Sequence, residues 1–256
     1  MTPRSHRQPQ DQADGLRRLF AHAAVRFVPV VSNPHTAFGG TMLERLCTAF
    51  AEQGRHTLVI DAGERSPAHS PMAMAELCEC IEPLSPKVSY LAARGLPLRF
   101  VDTHGSTAGF LQKAADAAPQ AEVVLVHAAA SDLTRMFARS EARPLLLADD
   151  HPASVTHAYA AMKLLTQRAG LVVFDLMLGA APHSPRAERI AMQLATCADD
   201  FLGVVLRDWV QIDPATDPHE ATSQTLRRWA REVLMPPGPP AGAGLPAFGG
   251  ALHSLN

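Results

Sequence analysis

The stretch FVPVVSNPHTAFGGTMLERL, residues 27–46, holds residue types that could bind a phosphate group. An apolar strand leads into a polar loop with Gly39 and Gly40, and then into a helix with Thr41 in its first turn. Phosphate-binding loops combine glycines that let N–H groups converge, a helix N-terminus, a lysine and a Ser or Thr that holds magnesium. Here the lysine is missing and Pro34 removes one N–H donor. The loop is either a weakened anion site or a plain strand-to-helix connection.

Other side chains give little sign of metal or hydrolase chemistry. Cys78 and Cys80 are separated by one residue, whereas zinc-binding cysteines usually have two to four between them. The 12 histidines include no His-x-x-x-His pair, and the chain has no Gly-x-Ser-x-Gly motif. His127 ends an apolar run with no carboxylate or cysteine near it in sequence, so we interpret it as a structural histidine. We therefore predict no metal site and no catalytic residue.

Strand-length apolar runs alternate with helical patterns through most of the chain. We predict strands at 26–32, 57–61, 96–101, 122–127, 144–148, 171–174 and 204–212, and helices near 41–53, 71–80, 107–118, 132–140, 153–169, 184–200 and 219–234. Continuous apolar strands indicate a sheet covered on both faces, and the alternation predicts βαβ units. The predicted fold class is α/β, a doubly wound, mainly parallel sheet with helices on both faces. Ligands of such sheets bind beyond the carboxyl ends of the strands.

Composition predicts one folded domain with two extended ends. We expect a flexible polar arm over 1–22, an α/β domain over 23–235 and a disordered Pro/Gly-rich tail over 236–256. No apolar run reaches the roughly 18 residues that span a bilayer, and the first 20 residues lack the apolar segment of a secretory signal. We therefore expect a cytoplasmic protein. Basic residues are not massed in one run, which argues against nucleic acid as a partner.

Four segments resemble, in order and spacing, the MinD/ParA superfamily of deviant P-loop ATPases. SNPHTAFGGTMLERLCTAFAEQGRHTLVIDAG is similar to the family's loop, helix and second strand, and EVVLVHAAAS stands where the family has its switch strand. RPLLLADDHPASVTHAYAAMKLLTQRAG and FLGVVLRDWVQIDP resemble two later segments. The resemblance runs from about Arg26 to Glu232 and implies a MinD-like P-loop fold.

The residues that carry the family's nucleotide chemistry are replaced here. In an ungapped comparison its two loop lysines fall on Pro34 and Gly39, and a register shifted by one residue supplies no lysine either. Asp61 keeps the first acid of the family's Asp-x-Asp, Gly63 replaces the second, and His127 replaces the switch aspartate. Phosphoryl transfer depends on such charges, so we expect no ATPase activity by the familiar mechanism. The resemblance implies a vestigial nucleotide site at Asn33, Pro34, Gly39, Gly40, Thr41, Asp61 and His127, and no cofactor unless the loop still binds ATP and Mg²⁺.

The segment DQADGLR resembles the Asp-Gln-Ala-x-x-Leu-Arg element of the FlhG/FleN flagellar-number regulators. In that family the element precedes the ATPase domain and stimulates the GTPase FlhF. The resemblance assigns partner binding to Asp11, Gln12, Ala13, Leu16 and Arg17, with an FlhF-type signal-recognition-like GTPase as the partner. Flagellar basal-body components or a transcriptional regulator are further candidate partners. If the arm becomes helical, Leu16, Leu19 and Phe20 form one apolar edge.

The leading hypothesis is a regulator of flagellar number and placement that acts through protein interaction and has lost its own ATPase. The alternatives are an active but unorthodox MinD-like ATPase and a MinD-like adaptor for another polar surface assembly, such as cellulose secretion. The helix at 223–234 carries Leu226, Trp229 and Val233 on one face. We interpret it as the last core helix, with a membrane-contacting helix as the alternative. Recruitment to the cell pole or inner membrane is therefore left open.

Overall fold

A computed structural model of the protein describes residues 25–235. The whole predicted arm, with the DQADGLR motif and its five predicted partner-binding residues, and the Pro/Gly-rich tail lie outside the described residues. The strands are β1 Arg26–Val31, β2 Thr57–Ala62, β3 Ile81–Ser85, β4 Val88–Ala92, β5 Val123–Ala128, β6 Leu145–Asp149, β7 Val173–Gly179 and β8 Val205–Ile212. The α-helices are α1 Gly39–Ala51, α2 Ala108–Ala117, α3 Ala130–Met136, α4 Pro152–Ala169, α5 Pro185–Leu202 and α6 Gln224–Leu234.

The eight strands form one sheet in the order β3-β4-β2-β5-β1-β6-β7-β8. Every neighbouring pair is parallel except β3 and β4, which are antiparallel. The chain leaves β1 towards β2 on one side and later leaves β5 towards β6 on the other side of β1. The carboxyl ends of β1, β2, β5 and β6 therefore meet at a topological switch point, where such sheets bind ligands.

Two apolar layers hold the helices against the sheet. On one face, α2, α3, α4 and α5 pack on side chains such as Val124 and Val126 of β5. On the other face, α1 and α6 pack on Leu125 of β5 and on Leu145 and Leu147 of β6. Alternate residues of the central strands are thus buried on both sides, which accounts for their continuous apolar sequences. The predicted doubly wound α/β class is confirmed.

Helix α6 closes the second face as the last core helix. Leu226, Trp229 and Ala230 are buried, and the Trp229 Nε1 donates a hydrogen bond of 3.0 Å to Asp175 Oδ2 in β7. The apolar face of α6 is therefore buried in the core, in agreement with the interpretation of this segment as the last core helix. In the part of the chain that the structure describes, none of the helices has the length and apolar character needed to span a bilayer.

Several predicted elements differ from the structure, most of them where proline interrupts the sequence pattern. The strand predicted at 96–101 was wrong, because Pro97–Phe100 forms a 3₁₀-helix, as proline fixes φ and lacks the N–H that a strand ladder needs. The helix predicted at 71–80 was also wrong: two 3₁₀-helices stand there, Pro71–Met74 and Leu77–Cys80. The β3–β4 hairpin was not predicted, since β3 contains Pro83 and most of its residues are exposed. The strand predicted at 171–174 begins later and extends to Gly179.

Candidate functional site

A cleft of about 300 Å³ opens at the switch point, beyond the carboxyl ends of β1, β2 and β5. Six of the seven positions predicted as a vestigial nucleotide site line it: Asn33, Pro34, Gly39, Gly40, Asp61 and His127. Thr41 lies in the first turn of α1 but is not among the residues that line the cleft. The fold thus assembles the predicted positions from three strand ends into one concave site.

The loop after β1 is fixed by the side chain of Asn33, which is buried. Its Nδ2 donates hydrogen bonds to the backbone oxygens of Leu147 at 2.8 Å and Ser154 at 3.0 Å. Its Oδ1 accepts a bond of 3.0 Å from the backbone N–H of His35. Both hydrogens of the amide are therefore engaged with the protein itself, and Asn33 joins the loop to β6 and α4.

Asp149, the buried last residue of β6, supplies a negative charge to the same loop. Its Oδ2 accepts a hydrogen bond of 3.1 Å from the backbone N–H of Ala37, and its Oδ1 accepts one of 3.0 Å from His151. The N–H of Thr36 donates a hydrogen bond of 3.1 Å to the backbone oxygen of Asn33. The N–H groups of three successive loop residues, His35 to Ala37, thus already have protein acceptors, one of them a carboxylate. A phosphate placed there would meet occupied donors and a like charge.

The paired glycines Gly39 and Gly40 open α1 without a side-chain cap before them. Neither has a positive φ, and a Cβ built on either would meet no heavy atom within 4 Å. Neither backbone conformation nor packing within the described residues therefore requires glycine at these positions. Close approach of a ligand is what glycines in such a loop ordinarily serve.

Asp61 and His127 form a hydrogen-bonded pair across neighbouring strands, because β2 and β5 place them side by side. The His127 Nδ1 lies 2.7 Å from Asp61 Oδ1, and both side chains are mostly buried. Ser66 donates its hydroxyl to the same oxygen, and Tyr90 donates to Oδ2 at 3.0 Å. His127 was interpreted as a structural histidine without a nearby carboxylate. Its carboxylate partner is 66 residues away in sequence and was missed.

Burial alone would raise the pKa of the Asp61 carboxyl, but the hydrogen bonds from His127, Ser66 and Tyr90 and the adjacent imidazole outweigh it. The pKa of Asp61 therefore lies below its usual range. Burial and the Asp61 charge raise the pKa of Tyr90, which keeps the phenol protonated as a donor. Asp61 is thus an ionised carboxylate whose oxygens are engaged by three side chains. A magnesium ion would have to displace those donors.

Gly63 and His127 are sterically matched. A Cβ at position 63 would lie 3.0 Å from His127 Cε1 and 3.0 Å from Ser66 Oγ, closer than nearly all real Cβ contacts. A side chain at this position would require His127 or Ser66 to shift by a few tenths of an ångström. Gly63 and His127, two departures from the family pattern that look independent in the sequence, are therefore in direct steric contact.

The remaining charges at the cleft do not favour a nucleotide. Glu64 and Arg65 line it together with Asp61 and His127, and no lysine does so within the described residues. Residues 25–235 contain no group of three or more His, Cys, Asp or Glu side chains that could hold a metal ion. The residues present do not fit magnesium and a triphosphate held in the manner of a P-loop, since that arrangement depends on lysines, and none lines the cleft within residues 25–235.

Comparisons with known proteins bear on both sequence and fold. No protein-family model matches the chain. Over 103 residues the chain is 35% identical to the antiactivator FleN of Pseudomonas aeruginosa, a stretch that covers 39% of this chain and 36% of FleN. The match thus spans about a third of that curated relative.

Solved structures of ParA and MinD proteins share the fold. A ParA family ATPase from Chlorobium tepidum superposes with a TM-score of 0.55 and 13% identity, covering 81% of this chain and 98% of that one. MinD of Pyrococcus horikoshii, solved with Mg-ADP, superposes with a TM-score of 0.53 and 18% sequence identity. This match covers 82% of this chain and 96% of the MinD chain. At such identities the likeness shows the fold alone. Together with the FleN match it supports the FlhG/FleN type of MinD/ParA protein that the sequence motifs predicted.

Proposed function

We propose that this chain, a FleN/FlhG-type protein with the MinD/ParA fold, regulates flagellar number through protein contacts and has no ATPase cycle of its own. The FleN match supports the flagellar role. The bonded loop supports the loss of nucleotide chemistry, because the N–H groups of His35, Thr36 and Ala37 already bond to Asn33 and Asp149. The proposal depends chiefly on this observation that loop N–H groups are hydrogen-bonded to the protein itself.

The Asp61–His127 pair supports the same conclusion from the other side of the cleft. In a phosphoryl-transfer site, a carboxylate holds magnesium and a further residue aligns water. Here the carboxylate of Asp61 is instead saturated by His127, Ser66 and Tyr90. A hydrogen-bonded pair inside the protein would therefore take the place of the metal-binding role, and the cleft would be part of the scaffold.

The contact with a partner is assigned to the N-terminal arm. Asp11, Gln12, Ala13, Leu16 and Arg17 would be presented to an FlhF-type GTPase and would stimulate its hydrolysis of GTP. Such a segment orders on binding a groove of its partner, and a glutamine amide can orient the attacking water, as in other GTPases. Gln12 is the residue proposed for that task.

Nucleotide binding is tested by titrating the purified full chain with Mg-ATP and Mg-ADP in a calorimeter. We expect no binding at nucleotide concentrations up to the millimolar range, since the loop donors are engaged. A dissociation constant in the micromolar range would contradict the proposal and would revive the unorthodox ATPase. A MinD protein that binds Mg-ADP serves as the positive control.

Stimulation is tested by measuring GTP hydrolysis by an FlhF-type partner with and without the full chain. We expect a rise in rate that is lost with Gln12→Ala and retained with Gln8→Ala, a matched substitution outside the motif. The absence of any rise, or an equal rise with Gln12→Ala, would refute the assignment of the arm. Recruitment to the pole or inner membrane is a separate part of the proposal, read out by imaging a fluorescent fusion.

A further inference from the structure

A second, larger groove of about 930 Å³ lies at the opposite end of the sheet from the cleft. It is bounded by the start of β1, the segment before β6 and the end of α6. Both ends of the described chain lie in its wall, because Val25 and Met235 line it. The Arg26 Nη2 donates a hydrogen bond of 2.7 Å to the Met235 oxygen and so holds the two ends together.

The groove presents apolar side chains that nothing in the described chain covers fully. Met136 and Phe137 form buried parts of its surface, while Val25, Phe27 and Val233 are half-buried. Met235, at the rim, is 65% exposed. Removing such surface from water is favourable, so a segment that covers it with its own apolar side chains is stabilised there.

We propose that this groove binds the apolar edge of the chain's own N-terminal arm, formed by Leu16, Leu19 and Phe20. The arm leads directly into Val25, so it must pass the wall of the groove. Phe20 precedes Val25 by five residues, which span at most about 17 Å when fully extended. In a helical arm, the spacing of Leu16, Leu19 and Phe20 would place them on one face, as the complement of a groove requires.

The C-terminal segment is a poorer occupant, although it also starts at the groove. It opens with Pro236 and Pro237, which disfavour a helix, and its first large apolar residue, Leu245, comes ten residues after Met235. The rim itself is mixed in sign, with Glu141 and Glu232 beside arginines. Apolar contact, and not net charge, therefore decides the occupant.

Docking would give the arm two competing positions. Leu16 belongs both to the docked edge and to the proposed partner-binding motif, so a partner must draw the arm from the groove before it can bind Leu16. This consequence rests on the proposed function, whereas the docking itself does not. The groove then keeps the apolar edge of the arm covered until a partner is present.

The test is hydrogen–deuterium exchange of the full-length protein, compared with a Leu19→Asp/Phe20→Asp variant. We expect several-fold faster exchange in peptides covering 25–28, 136–143 and 232–235 of the variant, and unchanged exchange around the cleft. A matched Leu245→Asp/Phe248→Asp variant, with the same two charges in the tail, should leave all these peptides unchanged. Circular dichroism and thermal unfolding show that each variant is folded.

Three results would overturn the inference. No change in the arm variant would mean that the groove does not hold the arm. Faster exchange in the tail variant alone would make the tail the occupant. Protection that grows with protein concentration would assign the groove to the arm of a second copy. The exchange measurement is independent of GTPase stimulation, so docking can hold where the proposed function fails, and the reverse.

Discussion

Asp149 has the most direct chemical effect among the residues at the cleft. Its buried carboxylate accepts the N–H of Ala37, so the loop carries an acceptor belonging to the chain itself. The neighbouring Asp150 is half-exposed and forms only a 3.7 Å ion pair with Arg186 at the surface. The pair of aspartates allows the effect of the internal acceptor to be separated from the effect of general negative charge.

We predict that Asp149→Ala lowers the free energy of unfolding by about 1.5–3 kcal/mol, because hydrogen bonds to a buried charged group are lost. The same change frees the N–H of Ala37, so affinity for Mg-ATP should rise by about tenfold or more. Urea unfolding and calorimetry measure the two effects. Asp150→Ala should change neither by much, and an Asp149→Ala protein with unchanged nucleotide affinity would show that the carboxylate does not occupy the phosphate position.

The contact between Gly63 and His127 predicts a coupling that a double-mutant cycle can measure. Gly63 does not have a positive φ, so alanine is allowed by the backbone but crowds His127 Cε1 and Ser66 Oγ. Gly63→Ala should cost about 1–3 kcal/mol in the wild-type protein and clearly less in a His127→Ala background. Urea unfolding of the four proteins gives the coupling energy. An equal cost in both backgrounds would contradict the matched pair.

The lowered pKa of Asp61 predicts a dependence of stability on pH. Because its folded-state pKa lies below the ordinary value of 3.8, the ionised form stabilises the fold above that pH. The contribution is lost as the pH falls through the lowered pKa. Asp61→Asn should therefore be less stable at neutral pH and should show a flatter fall in unfolding free energy below about pH 4. Asp150→Asn, at a half-exposed position, should reproduce the wild-type slope.

At the level of elements, α1 shows which features of a phosphate loop are no longer required by the fold. Gly39 and Gly40 lie in its first turn, where glycine costs more conformational entropy than alanine. Gly170, by contrast, ends α4 with φ 73° and needs its conformational freedom. The glycines of the helix start and the helix end thus have different reasons to be present.

We predict that Gly39→Ala and Gly40→Ala each raise the free energy of unfolding by about 0.5–1 kcal/mol. Gly170→Ala should lower it by roughly 1 kcal/mol, because alanine is strained at positive φ. Thermal and urea unfolding measure all three. If Gly39→Ala or Gly40→Ala instead abolished a measurable affinity for nucleotide, the glycines would still serve a ligand and the cleft would not be vestigial.

Strands buried on both faces and the edge strand β8 could be predicted from the sequence, whereas the exposed edge strand β3 could not. The runs EVVLVHA and RPLLLAD gave β5 and β6, because a strand covered on both sides must be apolar at successive positions. The same rule misplaced a strand at 96–101, where Pro97 favours a 3₁₀-helix. The edge strand β3 was missed since its exposed side chains carry no apolar signal.

At the scale of the whole molecule, the sequence could predict which positions form the cleft. It could not predict which distant residues those positions would bond to. The resemblance to the MinD/ParA family indicated the loop, Asp61 and His127 as one site. Nothing local indicated that Asn33 would bond to Ser154, 121 residues away, or that Asp149 would reach Ala37 across 112 residues. Those contacts depend on the order of strands in the sheet, which places β6 beside β1.

The Asp149 carboxylate acts on the loop as a tethered ligand acts on its receptor. A group held by the same chain has an effective concentration of millimolar or more, set by geometry and unaffected by the composition of the cell. Free nucleotide would have to exceed that value to replace it. Under the proposed function, the loop therefore keeps one conformation through changes in the ATP-to-ADP ratio, and the number of copies of the protein is the quantity that the cell can vary to change its output.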